Sequence, residues 1–349
     1  MCAKFKRSEP YFVDWSDFTR MLKTFIQAEE IPQELLGSVC QDDSAPYAAR
    51  KILAKQFTIV LRHQEAAIHT DDPEALHQVR LAIRRMRTCL RVMKPMLGDD
   101  LVGRLMPGMK RTGSILGDVR DLDSFIIWLS RIREFMHFKV RVAIDAIERE
   151  SLGVRKQEKQ TVIDELESDS YSEWTQALLE FLHSDRFAET TEKTLRDEAP
   201  GILTYLLSYV SATTKDASSA SFKKLHKLRI RCKWLRYFCE FFNDAYGDRL
   251  QPVIKEIKVM QSELGIVQDH SRDIKMLTAN KRKFTEINCV DDKSVAALIQ
   301  FFSRQRRNTR KRFKKIWKDY TAKNNQKRYL KLFKKFPSIE ESPVQSRLD

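Results

Sequence analysis

Apolar positions recur at intervals of three and four along most of the chain, the spacing that places them on one face of an α-helix. Leu76, Val79, Ile83, Met86 and Leu90 form one such stripe. Leu225, Leu228, Cys232, Leu235 and Cys239 form another 149 positions later. Helical periodicity runs from about Tyr47 to His69, breaks at Asp71-Asp72-Pro73 and resumes to Leu97, with Asp72 placed as an N-cap and Pro73 in the first turn. Gly98-Asp99-Asp100-Leu101 ends that helix and starts another reaching Leu116-Gly117, and Asp118 to Asp123 opens the next. Helical segments from Ile126 to Leu166 and from Tyr171 to His183 are expected as connections. A last long helix is predicted from Val295 to Tyr320, with Phe302, Phe313, Ile316, Trp317 and Tyr320 on its apolar side. The segment from Gln326 to Phe336 is basic and expected to fray. Residues 1–46 read as an appendage, a short amphipathic segment from Tyr11 to Glu30 followed by a loop marked by Pro32, Gly37, Asp42, Asp43 and Pro46.

The punctuation repeats as well as the periodicity. Gly247-Asp248-Arg249-Leu250 matches Gly98-Asp99-Asp100-Leu101, and Leu264-Gly265 matches Leu116-Gly117. Asp269 and Lys258 correspond to Asp121 and Lys110 at an offset of 148. A period of about 150 residues is too long for a solenoid unit, so the expected architecture is all-α, two helical-bundle repeats related by approximate two-fold symmetry. The first repeat spans about 47–185 and the second about 186–322, followed by a basic then polar tail, 323–349.

Composition agrees with that class. Gly and Pro number ten each in 349 residues, about 3% apiece, so turns are scarce and long helices favoured. The six cysteines contain no C-x-x-C pair and read as reduced thiols of a cytosolic protein. Met1 to Pro10 has no apolar signal region, and the longest uncharged run, Ala199 to Thr214, is sixteen residues interrupted by Pro and Gly, so no membrane span is expected. The net charge is +15, but Arg304 to Lys335 alone carry +14 and the tail from Phe336 carries −2, which leaves +3 for residues 1–303. The body is nearly neutral, and its basic residues matter by where they lie.

They lie in rows. His77, Arg80, Arg84 and Arg87 fall within a sector of about 80° on their helix, and His226, Arg229, Lys233 and Arg236 do the same. Each cationic row borders the apolar stripe of its own helix. Such a row lines a groove or a channel more readily than open water, and the pair could face one another across a central basic pore. The chemistry suits a polyanion: guanidinium forks grip neighbouring phosphate oxygens and lysine supplies a mobile point charge. The imidazoles of His77 and His226 would be tunable, with binding expected to strengthen as pH falls.

Other readings of these residues compete. Arg and Lys rows are commonly solvated helix faces, and the Arg304 to Lys335 run divides evenly between solvation and extra polyanion contact. The same run interleaves Phe313, Trp317, Tyr320 and Tyr329, which would suit nucleic-acid binding, as primary ligand or as secondary DNA or RNA contact. Glu74-x-x-His77, Glu134-x-x-His137 and Glu180-x-x-His183 have the spacing of di-metal carboxylate bundles. Arginines beside His77 repel a dication, and the second repeat reads Lys223-x-x-His226, so no metal site and no catalytic residue is assigned. Gly117 and Gly265 look like helix-end residues and no Gly-rich phosphate loop occurs, so the chain is not read as an enzyme and no cofactor is expected.

The elements Leu76-His77-Gln78-Val79-Arg80 with Arg84-Arg85-Met86-Arg87, and Leu225-His226-Lys227-Leu228-Arg229 with Lys233-Trp234-Leu235-Arg236-Tyr237, resemble the CHAD family, a histidine-bearing α-helical domain. The resemblance covers about residues 47–322. It implies two helical repeats around a basic pore and binding of inorganic polyphosphate, often at polyphosphate granules in the cytoplasm, without established catalysis. Carried over position by position, the implied polyphosphate contacts are His77, Arg80, Arg84, Arg87 and Lys110, and His226, Arg229, Lys233, Arg236 and Lys258. Arg120-Asp121-Leu122-Asp123 fits the family's Arg-Asp-x-Asp element, whereas the second copy reads Gln268-Asp269-His270-Ser271. The E-x-E-x-K signature of the triphosphate tunnel enzymes fused to some members is missing.

Overall fold

A computed structural model describes residues 31–184, 193–214, 216–217, 220–287, 289–334 and 336; the amphipathic segment expected at Tyr11 to Glu30 lies outside them. Among the described residues ten helices carry the fold: α1 (Ala45–His69), α2 (Pro73–Val92), α3 (Asp99–Arg133), α4 (Phe138–Leu166), α5 (Asp169–His183), α6 (Leu195–Ser211), α7 (Phe222–Phe241), α8 (Gln251–Ala279), α9 (Asp292–Thr321) and α10 (Lys323–Lys334). Short turns at Gln33–Leu36, Lys94–Leu97 and Lys281–Thr285 complete the helical elements, and no strand occurs among the described residues. The molecule is all-α.

Local chemistry starts the helices where the site needs them. Asp72 caps α2 by accepting from the Glu74 amide at 2.9 Å, with Pro73 in the first turn as expected. Ser221 caps α7, accepting from the Lys224 amide at 3.3 Å. Gly98 and Gly247, at equivalent turns, both adopt positive φ, +87° and +55°, backbone that glycine reaches without a Cβ penalty.

Packing follows the same order twice. α1 lies on α2, α2 on α3 and α3 on α4; α6 lies on α7, α7 on α8 and α8 on α9. The two series meet where α2 touches α7, α3 touches α8 and α4 touches α9. Every residue of the two apolar stripes is buried, so these helices face the core with the surface their periodicity predicts. A second, smaller core gathers Phe125 and Leu129 of α3, Ile144 and Ile147 of α4, Leu277 of α8 and Leu298 and Phe302 of α9.

Several boundaries differ from expectation. The helix starting at Pro73 ends at Val92, and 94–97 is a separate turn. α3 runs unbroken through Leu116-Gly117 and Asp118 to Arg133, because Gly117 is a buried mid-helix residue and not a terminator. α4 and α5 are not mere connections: α4 packs on α3 and α9, and α5 on α3 and α1. Residues 31–44 belong to the body, since Leu35 and Val39 are buried and the Asp43 and Gln41 carbonyls accept from the Leu195 and Arg196 amides at 2.8 and 3.0 Å. The segment expected to fray is α10, held by fully buried Tyr329 and Phe333 and by the Tyr246 hydroxyl, which donates to the Phe333 carbonyl at 2.8 Å.

Candidate functional site

α2 and α7 present their cationic rows to each other. Arg84 and Arg80 crowd Lys233, and Arg229 lies near enough to Arg80 and Arg84 to be felt electrostatically. α3 backs the first row and α8 the second, each through a glycine. The Arg80 guanidinium lies on α3 so closely that a Cβ at Gly117 would stand 3.4 Å from Nη2, and the Arg229 guanidinium lies on α8 with 3.5 Å to a Cβ at Gly265. Arg87 covers Gly113, where a Cβ would stand 3.0 Å from its Nη1. Sequence reasoning took Gly117 and Gly265 for helix ends; they are the smooth spots on α3 and α8 against which the guanidinium planes rest.

The electrostatics of the rows are unbalanced. Arg80, Arg84, Arg87, Arg229 and Lys233 are half-buried, yet none pairs with a carboxylate among the described residues. The Nε atoms of Arg84, Arg87, Arg229 and Arg236, and His77 Nδ1, are buried without a hydrogen-bond partner. Burial, with Arg84, Arg229, Arg80 and Arg236 around it, pushes the Lys233 amine well below its ordinary value. Burial also lowers Arg80 and Arg229. Burial, then Arg120, depress the His77 imidazole; Glu74 opposes them, and Arg84 and Arg80 add smaller lowering contributions. Like charges 4 Å apart repel by roughly 4 kcal/mol at an effective dielectric of 20, so such a cluster is costly without an anion.

Among the described residues, the carboxylates that pair with cations beside the rows stand at the ends. Glu240 takes Arg85 at 2.7 Å and holds Arg236 at 3.8 Å and Lys258 at 3.7 Å. At the other end Arg272 of α8 bridges Asp121 of α3 at 2.8 Å and Asp269 at 3.5 Å. These two aspartates also attract Arg80 and Arg229 without reaching ion-pair distance.

Of the residues singled out from sequence, Arg80, Arg84, Arg229 and Lys233 form the centre. Arg87 and half-buried His77 lie at opposite ends of the first row, and Arg236 sits by Glu240. Lys110 and Lys258 are exposed at the rim, Lys110 one turn before Gly113 on α3. His226 is exposed near the start of α7, outside the crowded centre, so the two histidines are not equivalent. Sequence reasoning did not single out Arg85, Arg91, Glu240 or Arg272. Arg85 lies off the row and Arg91 continues it one turn beyond Arg87, as Glu240 continues the second row; Arg91 stacks over Trp234 at 5.4 Å while Arg85 stands 4.9 Å over Phe241. The 149-residue offset held the signal: it equates Arg85 with Trp234 and Arg91 with Glu240, so the contacts Arg85–Glu240 and Arg91–Trp234 join the same two positions from opposite ends.

The residues of the rival readings are occupied elsewhere. Phe313, Trp317, Tyr320 and Tyr329 are between 0 and 4% exposed, so the rings interleaved with the basic run are core and cannot stack on bases. In the Glu-x-x-His pairs, Glu74 accepts from Gln78, Glu134 pairs with Arg133 and Glu180 with Arg104. No group of three His, Cys, Asp or Glu side chains able to hold a metal occurs among the described residues. Cys89, Cys232 and Cys239 are buried free thiols, pushed up by burial, Cys232 to about 12.

An all-helical body in which two cationic helices oppose one another defines a class of fold, and the comparisons place it. Residues 51–278 match the family model described as CHAD domain, and the chain belongs to that family. The structure resembles the crystal structure of the CHAD domain from the plant Ricinus communis, with a TM-score of 0.60 at 18% identity over 86% of this chain and 95% of that one. It also resembles PptA from Streptomyces chartreusis, with a TM-score of 0.59 at 14% identity over 78% of this chain and 99% of that one. No curated protein sequence matches significantly. No described helix is long and apolar enough to cross a membrane.

Proposed function

We propose that this protein binds inorganic polyphosphate in the cleft between α2 and α7, as a binding module and not as a catalyst, and associates through it with polyphosphate granules in the cytoplasm. The observation that carries this reading is the central cluster of half-buried cations, Arg80, Arg84, Arg229 and Lys233, without carboxylate partners. A linear polyanion supplies the missing counter-charge along the whole row, where a single phosphate could neutralise only part of it. Arginine forks then make bidentate contacts, and nothing in the row requires a base to be read. The paired contacts of Arg85 with Glu240 and Arg91 with Trp234 favour two equivalent halves around a two-fold axis at the α2–α7 crossing, with the pore between them. The CHAD resemblance supports the same ligand.

Titration calorimetry with polyphosphate, duplex DNA and single-stranded RNA at two salt concentrations tests the assignment, using the wild type and the Arg84→Ala/Lys233→Ala double variant. Polyphosphate is expected to bind in preference to both nucleic acids, and affinity is expected to fall steeply with salt through release of condensed counterions. The double variant should lose at least tenfold, about 1.4 kcal/mol. Binding that survives both substitutions, or equal affinity for RNA, defeats the reading.

A further inference from the structure

The α7 row does not stop at His226. Phe222, four residues earlier, continues the same line of the helix, since Phe222, His226, Arg229 and Lys233 follow at four, seven and eleven positions. Phe222 is 40% exposed, yet it is not bare: Arg306 of α9 stands over its ring at 4.4 Å and Arg310 at 5.4 Å. Arg310 also donates to the Ala220 carbonyl at 2.8 Å, which fixes α9 against the start of α7. A second cationic surface therefore begins where the first ends.

That surface is the outer face of α9. Arg307, Lys311, Lys314 and Lys318 succeed one another at four, seven and eleven positions, a single row ~17 Å long. All four are exposed and none makes an ion pair among the described residues. Lys314 falls on the side of the helix that follows Arg306 and Arg310 outward, so the row adjoins the Phe222 contact and does not lie opposite it. The acid that α9 meets is taken on its other flank, where Arg312 pairs with Glu263 at 3.2 Å.

We propose that the outer face of α9 is a second binding segment for the same polyanion: a long polyphosphate leaving the α2–α7 cleft at His226 crosses Phe222 and lies along Arg306, Arg307, Lys314 and the lysines beyond. The inference rests on the cleft reading above and gives it a chain-length preference. Polyphosphate fits the face better than nucleic acid because no aromatic ring on α9 or α10 is exposed among the described residues, and Phe222, the ring on the path, is already covered by Arg306 and Arg310. Burial and the adjacent Arg310 and Arg307 lower Arg306, as expected of a cation that lacks its anion.

The test compares a short polyphosphate no longer than the α7 row, ~15 Å from His226 to Arg236, with a long-chain polyphosphate. Both are titrated into the wild type, the Arg84→Ala/Lys233→Ala variant and an Arg306→Gln/Arg307→Gln/Lys311→Gln/Lys314→Gln variant, whose folding is checked by thermal denaturation. The quadruple variant should keep wild-type affinity for the short chain and lose about tenfold for the long one, with the slope of log K against log salt reduced by about two to three. An unchanged long-chain affinity, or equal losses for both lengths, overturns the second segment. An equal loss for single-stranded RNA overturns its assignment to polyphosphate. Retention of both ligands by the Arg84→Ala/Lys233→Ala variant instead overturns the cleft, a separate outcome.

Discussion

His77 and Gly117 show how much a single position carries. The His77 imidazole, held below its ordinary 6.5 by burial and by Arg120, is neutral near pH 7 with Nδ1 buried and unpartnered. A phosphate beside it favours the protonated form, so its pKa rises on binding and affinity should increase as pH falls from 8 toward 5.5. Calorimetry across that range should show a slope in the wild type and a shallower one in His77→Gln; a flat wild-type curve contradicts the placement. Without ligand the sign on stability is opposite. A base depressed in the folded state binds fewer protons than the unfolded chain, so His77 costs stability as pH drops below 6.5 toward its folded value. Gly117 makes a different prediction. With 3.4 Å between a Cβ there and Arg80, Gly117→Ala fits and should stabilise α3 by up to about 1 kcal/mol in urea denaturation without loss of polyphosphate affinity. Gly117→Leu has no such room and should weaken binding by displacing the guanidinium.

At the scale of elements, α10 is the instructive case. Its basic composition reads as a tail, but Tyr329 and Phe333 sit on one face four residues apart and are fully buried against α6 and its surroundings. Phe333→Ala should therefore cost about 3 kcal/mol, measured as a lower urea midpoint, whereas a frayed tail would register nothing. The same balance explains α3. Gly117 was legible as a repeated Leu-Gly signal, but a helix continues through glycine when tertiary contacts exceed the propensity cost of about 1 kcal/mol. Here α2, α4 and α5 all pack on α3, and Gly117 itself is buried under Arg80 of α2. The α2 start was readable because an Asp cap followed by Pro acts locally, within one turn of chain.

The whole molecule concentrates its function in the charge that it leaves unmatched. A body carrying +3 over residues 1–303 gathers half-buried cations without carboxylate partners in one cleft, and most of the remaining excess charge lies in α9 and α10. Polyphosphate at a hundred times its Kd should stabilise the protein by up to about 2.7 kcal/mol, the full value requiring that it bind the folded state alone. Thermal denaturation should show that rise in Tm and its collapse at high salt, and a salt-insensitive shift would count against an electrostatic cleft. From sequence alone came the helical class, the two buried stripes, the duplication and the ten candidate site residues, eight cations and two histidines, because periodicity and spacing are local properties of a helix. Tertiary structure decided which of these meet. It brought α2 against α7, left His226 at the mouth while half-burying His77, set Glu240 and Arg272 at the ends and put the aromatic rings of α9 into the core. Those outcomes depend on contacts between residues some 150 positions apart, and no local pattern encodes whether a charged row will find a carboxylate or be left to an external anion.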